Sequence, residues 1–425
     1  MNNDMKSKKK KSLDPIIIIG LLFFIFGFVT WLNATLIPYL QTACELTSFE
    51  SYLVTFAFYI SYLVMAIPSS KVLEKVGFKK GMSLGLFIMA LGALIFVPAA
   101  YTRTYFWFLT GLFIQGTGLA ILQTAANPYV TILGPIESAA KRISIMGIAN
   151  KFAGILSPVI LGAVILSGIG KVQKSLVGLD NAAKAIALDK LAEKVVFPYA
   201  VIAIALIIMA VLILFSTLPE IEADEEPITG DEQKRKSIFQ FPYFWWGVVA
   251  LFFYVGAEVL SVDGQIKYGL ALGFDIKVAK FFSSFTLVAM LVGYLVGIIG
   301  IPKYISQQKA LKYFSLLGIF FALLAVFTKG YASILSLAAL GFANSIMWPA
   351  IWPLAIEGLG KFTKRASAIL VMAIAGGALI PLLYGYLSGL KAVGATHAYA
   401  ILVICYLVIF YFATYAYKIG KRHLS

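Results

Sequence analysis

Runs of about twenty apolar residues recur along the whole chain, each long enough to cross a hydrocarbon core as a helix. They fall at 16–40, 51–70, 81–100, 105–133, 143–167, 196–218, 242–267, 280–301, 310–328, 331–356, 366–389 and 396–417. The runs are continuous and do not alternate every second residue, so a β-barrel is excluded. The composition agrees: 60% of residues are hydrophobic and 13% charged, which excludes a soluble enzyme, a nucleic-acid binder and a secreted disulfide scaffold. The net charge of +15 asks for no polyanionic partner, because the basic residues sit in short loops beside the membrane. Cys44 and Cys405 make neither a disulfide framework nor a metal site. Lys6, Lys8, Lys9, Lys10 and Lys11 precede the first run, but that run is too long for the core of a secretory signal and reads as a span. The expected fold is an all-α integral membrane protein of twelve transmembrane helices.

Loop charge orients the spans. With a cytosolic N-terminus the inner segments hold 23 Lys and Arg and the outer ones 11, with Lys151 left inside a span. The positive-inside rule therefore predicts both termini in the cytosol of a plasma (inner) membrane. The most polar stretch, Pro219 to Lys236, carries Glu220, Glu222, Asp224, Glu225, Glu226, Asp231 and Glu232. It divides the spans six and six, predicting an N-terminal half at 1–218, a cytosolic linker at 219–241 and a C-terminal half at 242–425. An outer segment, Gly168 to Val195, reads as an amphipathic surface helix in preference to a substrate lid. The halves also repeat each other. Leu133, Gly134, Lys141, Arg142 and Gly154 follow the fourth span, and Leu359, Gly360, Lys364, Arg365 and Gly377 follow the tenth. From 141 to 364 and from 154 to 377 the offset is a constant 223 residues. Duplicated six-helix halves predict a cleft between them and alternating access around a site near the midplane.

Ser70, Glu74, Lys75, Gly77, Lys79 and Lys80, between the second and third spans, resemble the loop signature of the major facilitator superfamily, with Ser70 for its leading glycine and Glu74 for its aspartate. The fourth span, Leu122-Gln123-Thr124-Ala125-Ala126-Asn127-Pro128-Tyr129-Val130 with Leu133-Gly134-Pro135 after it, resembles the fucose-galactose-glucose:cation symporter family of that superfamily. Tyr254-Val255-Gly256-Ala257-Glu258-Val259 and Val371-Met372-Ala373-Ile374-Ala375-Gly376-Gly377 agree, so the resemblance covers nearly the whole chain. It implies the major facilitator fold, sugar transport coupled to a cation, and a gating role for Glu74, Lys75, Lys79 and Lys80. Two departures stand out. Where the family's fucose permeases carry carboxylates linked with proton coupling, after Leu-Asn in the first span and again in the fourth, this chain has Ala34 and Gln123. The fifth span keeps the family's asparagine as Asn150, with Gly147 for a glutamine and Lys151 for a small residue. The pattern is closer to the glucose/galactose branch, and the coupling ion, H+ or Na+, stays open because the wider family includes sodium-coupled members.

Charge at membrane depth marks the candidate site. Glu258 falls near the middle of its span, where a lone carboxylate costs roughly 3 kcal/mol or more and must face a cavity, a partner or a proton. Asp263, further out and four residues before Lys267, reads first as half of an interfacial ion pair and second as an ion-coupling group. Lys151 lies about 12 Å along its helix from the cytosolic end. It either snorkels or points into the cleft, where with Asn150 it donates to sugar hydroxyls or pairs with Glu258. Sugars present hydroxyl edges and apolar faces, so their sites combine amides with aromatic platforms. Gln123 and Asn127 share one face of the fourth span. Asn344, Trp348 and Trp352 recur at four-residue spacing in the tenth, loosened by Pro349 and Pro353. Helix packing is the competing role for the tryptophans, although Trp348 lies too deep for an interfacial belt. Pro128 predicts a matching break in the fourth span. Asn33, Trp31 and Gln265 are weaker candidates. His397 lies in the outer loop where the last run begins and His423 in the tail, so no histidine relay crosses the membrane.

These readings lead to a secondary active transporter that imports a monosaccharide, a hexose such as glucose or galactose, with a cation by alternating access. No Gly-x-x-x-x-Gly-Lys-Ser/Thr nucleotide loop is present, and no enzyme centre, metal or cofactor is implied. The expected partners are the sugar and the bilayer, and a pseudo-symmetric carrier of this kind can work as a monomer. The alternative is a major facilitator exporter of drugs or lipids. Its support is Gly154, Pro158 and Gly162, which faintly resemble an antiporter signature and equally suit helix packing.

Overall fold

The computed structural model describes residues 15–132, 139–176, 178–216, 218, 237–301, 303–359 and 362–420. Among them twelve helices are long and apolar enough to cross a membrane. In order, spans 1 to 6 are Pro15–Ala43, Leu53–Val76, Phe78–Thr102, Tyr105–Ala126, Ile145–Ser175 and Asn181–Phe215; spans 7 to 12 are Pro242–Asp263, Ile276–Gly300, Gln307–Phe327, Gly330–Ile356, Arg365–Gly389 and Gly394–Lys418. No strand occurs among the described residues. The acidic linker 219–236, the loop residues Leu133, Gly134 and Gly360, and the side chains of Asn127, Lys141, Arg142 and Lys364 lie outside the described part.

Because lipid is as apolar as leucine, helices here associate by close packing, and small residues set the distances. Spans 3 and 4 meet through glycines: a Cβ at Gly85 would stand 2.7 Å from the carbonyl oxygen of Gly118, and one at Gly92 2.6 Å from that of Gly111. The segment Asn181–Glu193 forms a helix, N-capped by the Asp180 side chain on the Ala183 N–H at 2.7 Å. It is a fastened surface helix. Tyr39 of span 1 donates its hydroxyl to the carbonyls of Leu191 and Ala192 at 2.7 and 2.9 Å, and Arg103 pairs with Asp189 at 3.2 Å.

Spans 1, 10 and 11 depart from regular helix at Trp31–Leu32, Ser345–Ile346 and Ala373–Ala375. All these residues are buried, the setting in which irregular backbone is tolerated at membrane depth. The break in span 10 has a local cause. Pro349 has no N–H to give and its ring crowds the carbonyl four residues earlier, that of Ser345. Pro353 in turn leaves the Pro349 carbonyl without a helical donor, and Gln307 of span 9 supplies one, at 3.2 Å to Pro349 and 2.8 Å to Ala350. The break expected at Pro128 is not there, for the helix runs on to Ile132. A single proline removes one helical hydrogen bond, which a helix can bear without a break.

The halves meet along two seams. In one, Ser284 of span 8 donates to the Ile155 carbonyl of span 5 at 2.9 Å. In the other, where spans 2 and 11 pack, Tyr52 at the start of span 2 meets Tyr384 of span 11, ring centroids 5.4 Å apart and nearly perpendicular. At the end opposite the termini, Lys267 of the short helix Gln265–Ala271 donates to the hydroxyls of Ser48 and Ser51 at 2.9 and 2.7 Å, and Ser48 touches Ser388 at 2.9 Å. That contact ties the ends of the halves together. Burial pushes the Lys267 ammonium down to about 7.

Candidate functional site

Between the seams Lys151 of span 5 reaches Glu258 of span 7, Nζ to Oε1 2.8 Å. The two residues are 6% and 8% exposed, so both are buried, and Lys151 turns to Glu258 in place of snorkelling to the interface. An ammonium on a flexible stem needs a second wall, and Trp31 provides it, its ring centroid 4.4 Å from Nζ. Trp31 fits there only because span 5 has a glycine one turn on: a Cβ at Gly154 would run into the Trp31 ring. Its repeat counterpart Gly377 does the same for an aromatic of the opposite half, since a Cβ there would lie 3.1 Å from the Tyr59 ring. The duplicated glycines therefore place one aromatic beside each seam.

Span 7 holds its carboxylate on a fixed turn. Ser261 donates to the Glu258 carbonyl at 2.9 Å and accepts from Asn344 at 3.2 Å, while Tyr406 donates to the Asn344 amide oxygen at 2.9 Å. Ser283 and Thr286 of span 8 donate to the carbonyls of Val262 and Ser261 at 2.7 and 3.2 Å. Asn344 is wholly buried and engaged in this packing. The break after it separates it from the tryptophans, which stack on each other with centroids 5.2 Å apart and a 26° angle between planes. Trp348 lies beside Tyr254 of span 7, 6.4 Å between centroids. Both indoles are half-buried, so they form a platform.

In the N-terminal half Gln123 is half-buried and donates to the Tyr62 hydroxyl at 2.8 Å. Tyr62 in turn stacks on Tyr59, centroids 6.3 Å apart. Asn150 is buried and its amide donates to the Phe23 carbonyl at 3.4 Å. Asn33, just past the break in span 1, is 1% exposed, and its amide nitrogen has no hydrogen-bond partner among the described residues. Tyr59 and Tyr62 carried no sequence signal beyond their three-residue spacing in span 2, and Tyr254 none beyond its place in the Tyr254–Val259 string, since tyrosines are common throughout the chain.

Asp263 departs from its first reading. It is wholly buried and makes no ion pair with Lys267, which is turned to Ser48 and Ser51. Neither of its carboxylate oxygens has a hydrogen-bond partner among the described residues. The helix ends at this residue and turns at Gly264, so the next turn no longer presents Lys267 on the same face. Gln265 is equally buried with both amide ends unpartnered among the described residues. Of the signature loop, Glu74, Lys75 and Lys80 are exposed, and Lys79 donates to the Ser216 carbonyl at the end of span 6, 2.6 Å away.

The model of the Major Facilitator Superfamily matches residues 19–381. The chain belongs to the major facilitator superfamily. Within it, this facilitator is 34% identical over 398 residues to the glucose/galactose transporter of Brucella abortus biovar 1 (strain 9-941), covering 93% of this chain and 92% of the relative. It is 31% identical over 411 residues to the L-fucose-proton symporter of Escherichia coli K12, covering 94% and 92%. Among solved structures it is similar to the major facilitator transporter FucP in the outward conformation, with a TM-score of 0.72, 31% identity, and 95% of this chain and 99% of that one covered. These relatives agree with the fucose-galactose-glucose:cation symporter family that the fourth span resembles.

Proposed function

We propose that this facilitator is a secondary active carrier that takes up a hexose of the glucose or galactose kind together with a proton, by alternating access between its two halves. The observation that carries the reading is the Lys151–Glu258 pair, a buried charge pair joining one half to the other at 2.8 Å. A sugar hydroxyl both donates and accepts. It can accept from Lys151 and donate to Glu258, and so exchange the direct contact between the halves for one through the substrate. The stacked Trp348 and Trp352 offer a flat apolar face for the sugar C–H surface, and Gln123, Asn150 and Asn33 supply amides. The relatives named above support a sugar substrate, and the symporter relative supports a proton as the ion. None of these relatives is an exporter of drugs or lipids, so the export reading lacks a specific observation.

In this scheme residues 1–218 and 242–425 are the two rocking bodies, joined by the linker at 219–241. The loop that carries Glu74, Lys75, Lys79 and Lys80 is the cytosolic gate, with Lys79 holding it to the end of span 6. The carrier sits in the inner membrane as a monomer with both termini in the cytosol, and Lys267 with Ser48 and Ser51 closes its outer end.

Purified protein in liposomes tests this directly. Labelled glucose or galactose should accumulate under an inward proton gradient and only equilibrate under a sodium gradient or with no gradient. Absence of uptake in all three, together with absence of exchange against preloaded sugar, would remove the sugar reading.

A further inference from the structure

Span 7 carries two buried carboxyl groups, and only one has a protein partner. Glu258 is held by Lys151. Asp263, at zero exposure, has no cation and no hydrogen-bond donor on either oxygen among the described residues. Near it, the hydroxyls of Tyr52, at the start of span 2, and Tyr59, within span 2, both of the opposite half, also lack partners among the described residues, as do the Tyr399 hydroxyl of span 12, which lies against Gly264, and the Gln265 amide. Tyr52 and Tyr59 are close enough to Asp263 to interact with it electrostatically. The other titratable groups facing it are Glu258 on its own helix and, through Glu258, Lys151. Lys267, one turn on, is engaged by Ser48 and Ser51.

An ionised carboxylate sealed from water with no counter-charge is among the costliest arrangements a protein can hold, and a bound proton removes the charge. We propose that Asp263, with the hydroxyls of Tyr52 and Tyr59, is the site that carries the co-transported proton. This rests on the proposed proton-coupled reading. It assigns the two carboxylates different work: Glu258 joins the halves and meets the sugar, and Asp263 holds the ion.

The step balances simply. When the outer contact of Lys267 with Ser48 and Ser51 opens, water reaches Asp263 and a proton from outside forms an O–H bond on one carboxylate oxygen. The neutral acid donates that hydrogen to a tyrosine hydroxyl while the halves close over it. When the site opens to the cytosol the O–H bond breaks, the proton leaves to water, and the tyrosines donate to the carboxylate. One positive charge enters per cycle. Tyr59 also connects the site to the sugar amides, since it stacks on Tyr62, which accepts from Gln123. Sugar at Gln123 therefore bears on the ring that faces Asp263.

The test pairs infrared spectroscopy with transport, on the full-length protein. Wild type at neutral pH should show a carboxylic-acid C=O band that is lost in Asp263→Asn, and Tyr59→Phe, which keeps the ring, should move its frequency. In liposomes Asp263→Asn should lose proton-driven accumulation by a larger factor than it loses sugar exchange. Absence of the band in wild type, its persistence in Asp263→Asn, or accumulation by Asp263→Asn at the wild-type level would each overturn the assignment. Disappearance of the band on adding sodium at constant pH would overturn it too, by making this a sodium site. The band reports on Asp263 whether or not any sugar is moved, so failure of this site and failure of the sugar reading are told apart.

Discussion

Glu258 and Asp263 are five residues apart on one helix and both are buried, yet the protein treats them in opposite ways. Glu258 faces span 5 and receives an ammonium at 2.8 Å, backed by an indole. Asp263 has no ion pair and no hydrogen-bond partner among the described residues, and the phenols of Tyr52 and Tyr59 are near enough only to interact with it electrostatically. A buried charge can be kept by a counter-charge in good geometry or removed by a proton. The first solution suits a contact that the substrate must replace, and the second suits a group that must gain and lose an ion.

The comparison is broken most strongly from the Lys151 side. Lys151→Ala strands Glu258, and uncompensated removal of one partner from a buried pair costs about 3–5 kcal/mol. Thermal unfolding in detergent should show that loss together with dead transport. The double variant with Glu258→Gln should regain most of the stability and none of the transport; a double variant as unstable as the single one would show that the pair is not what the charge on Glu258 needs. Gly154→Val comes next. It pushes Trp31 off the ammonium, an overpacking cost of about 1–3 kcal/mol, and should lower sugar uptake while leaving Lys151 and Glu258 intact. Wild-type stability in this variant would mean that Trp31 is free to move.

Smaller effects sharpen the contrast. Ser261→Ala removes the acceptor of the Asn344 amide, worth about 1 kcal/mol, and should reduce stability without changing the ion dependence of uptake, as read from gradients of protons and sodium. Asp263→Asn should be the mildest in stability, below about 1 kcal/mol, since no ion pair is lost and the amide N–H can donate where the neutral acid does. A drop in its unfolding temperature as large as that of Lys151→Ala would show that Asp263 has a charged partner and erase the distinction between the two carboxylates.

The twelve spans, their pairing into repeats and the family were legible because the bilayer demands long apolar helices and because duplication leaves a constant offset. The sequence also pointed to Lys151 and Glu258, since ionisable residues at membrane depth are too costly to be incidental. It did not say that they meet. That depended on spans 5 and 7 of different halves facing each other, and on Gly154 admitting Trp31. The four-residue stripe of Asn344, Trp348 and Trp352 assumed an unbroken helix. Only the folded chain shows the break that turns the tryptophans into a platform and leaves Asn344 to the packing of spans 7 and 12. The pairing of Asp263 with Lys267 failed for the same kind of reason: spacing along a helix predicts neighbours only while the helix continues, and this one ends at Asp263. The sequence alone determined which residues are too polar for a membrane; the tertiary structure decided which of them found a partner, because partners come from helices distant in the chain.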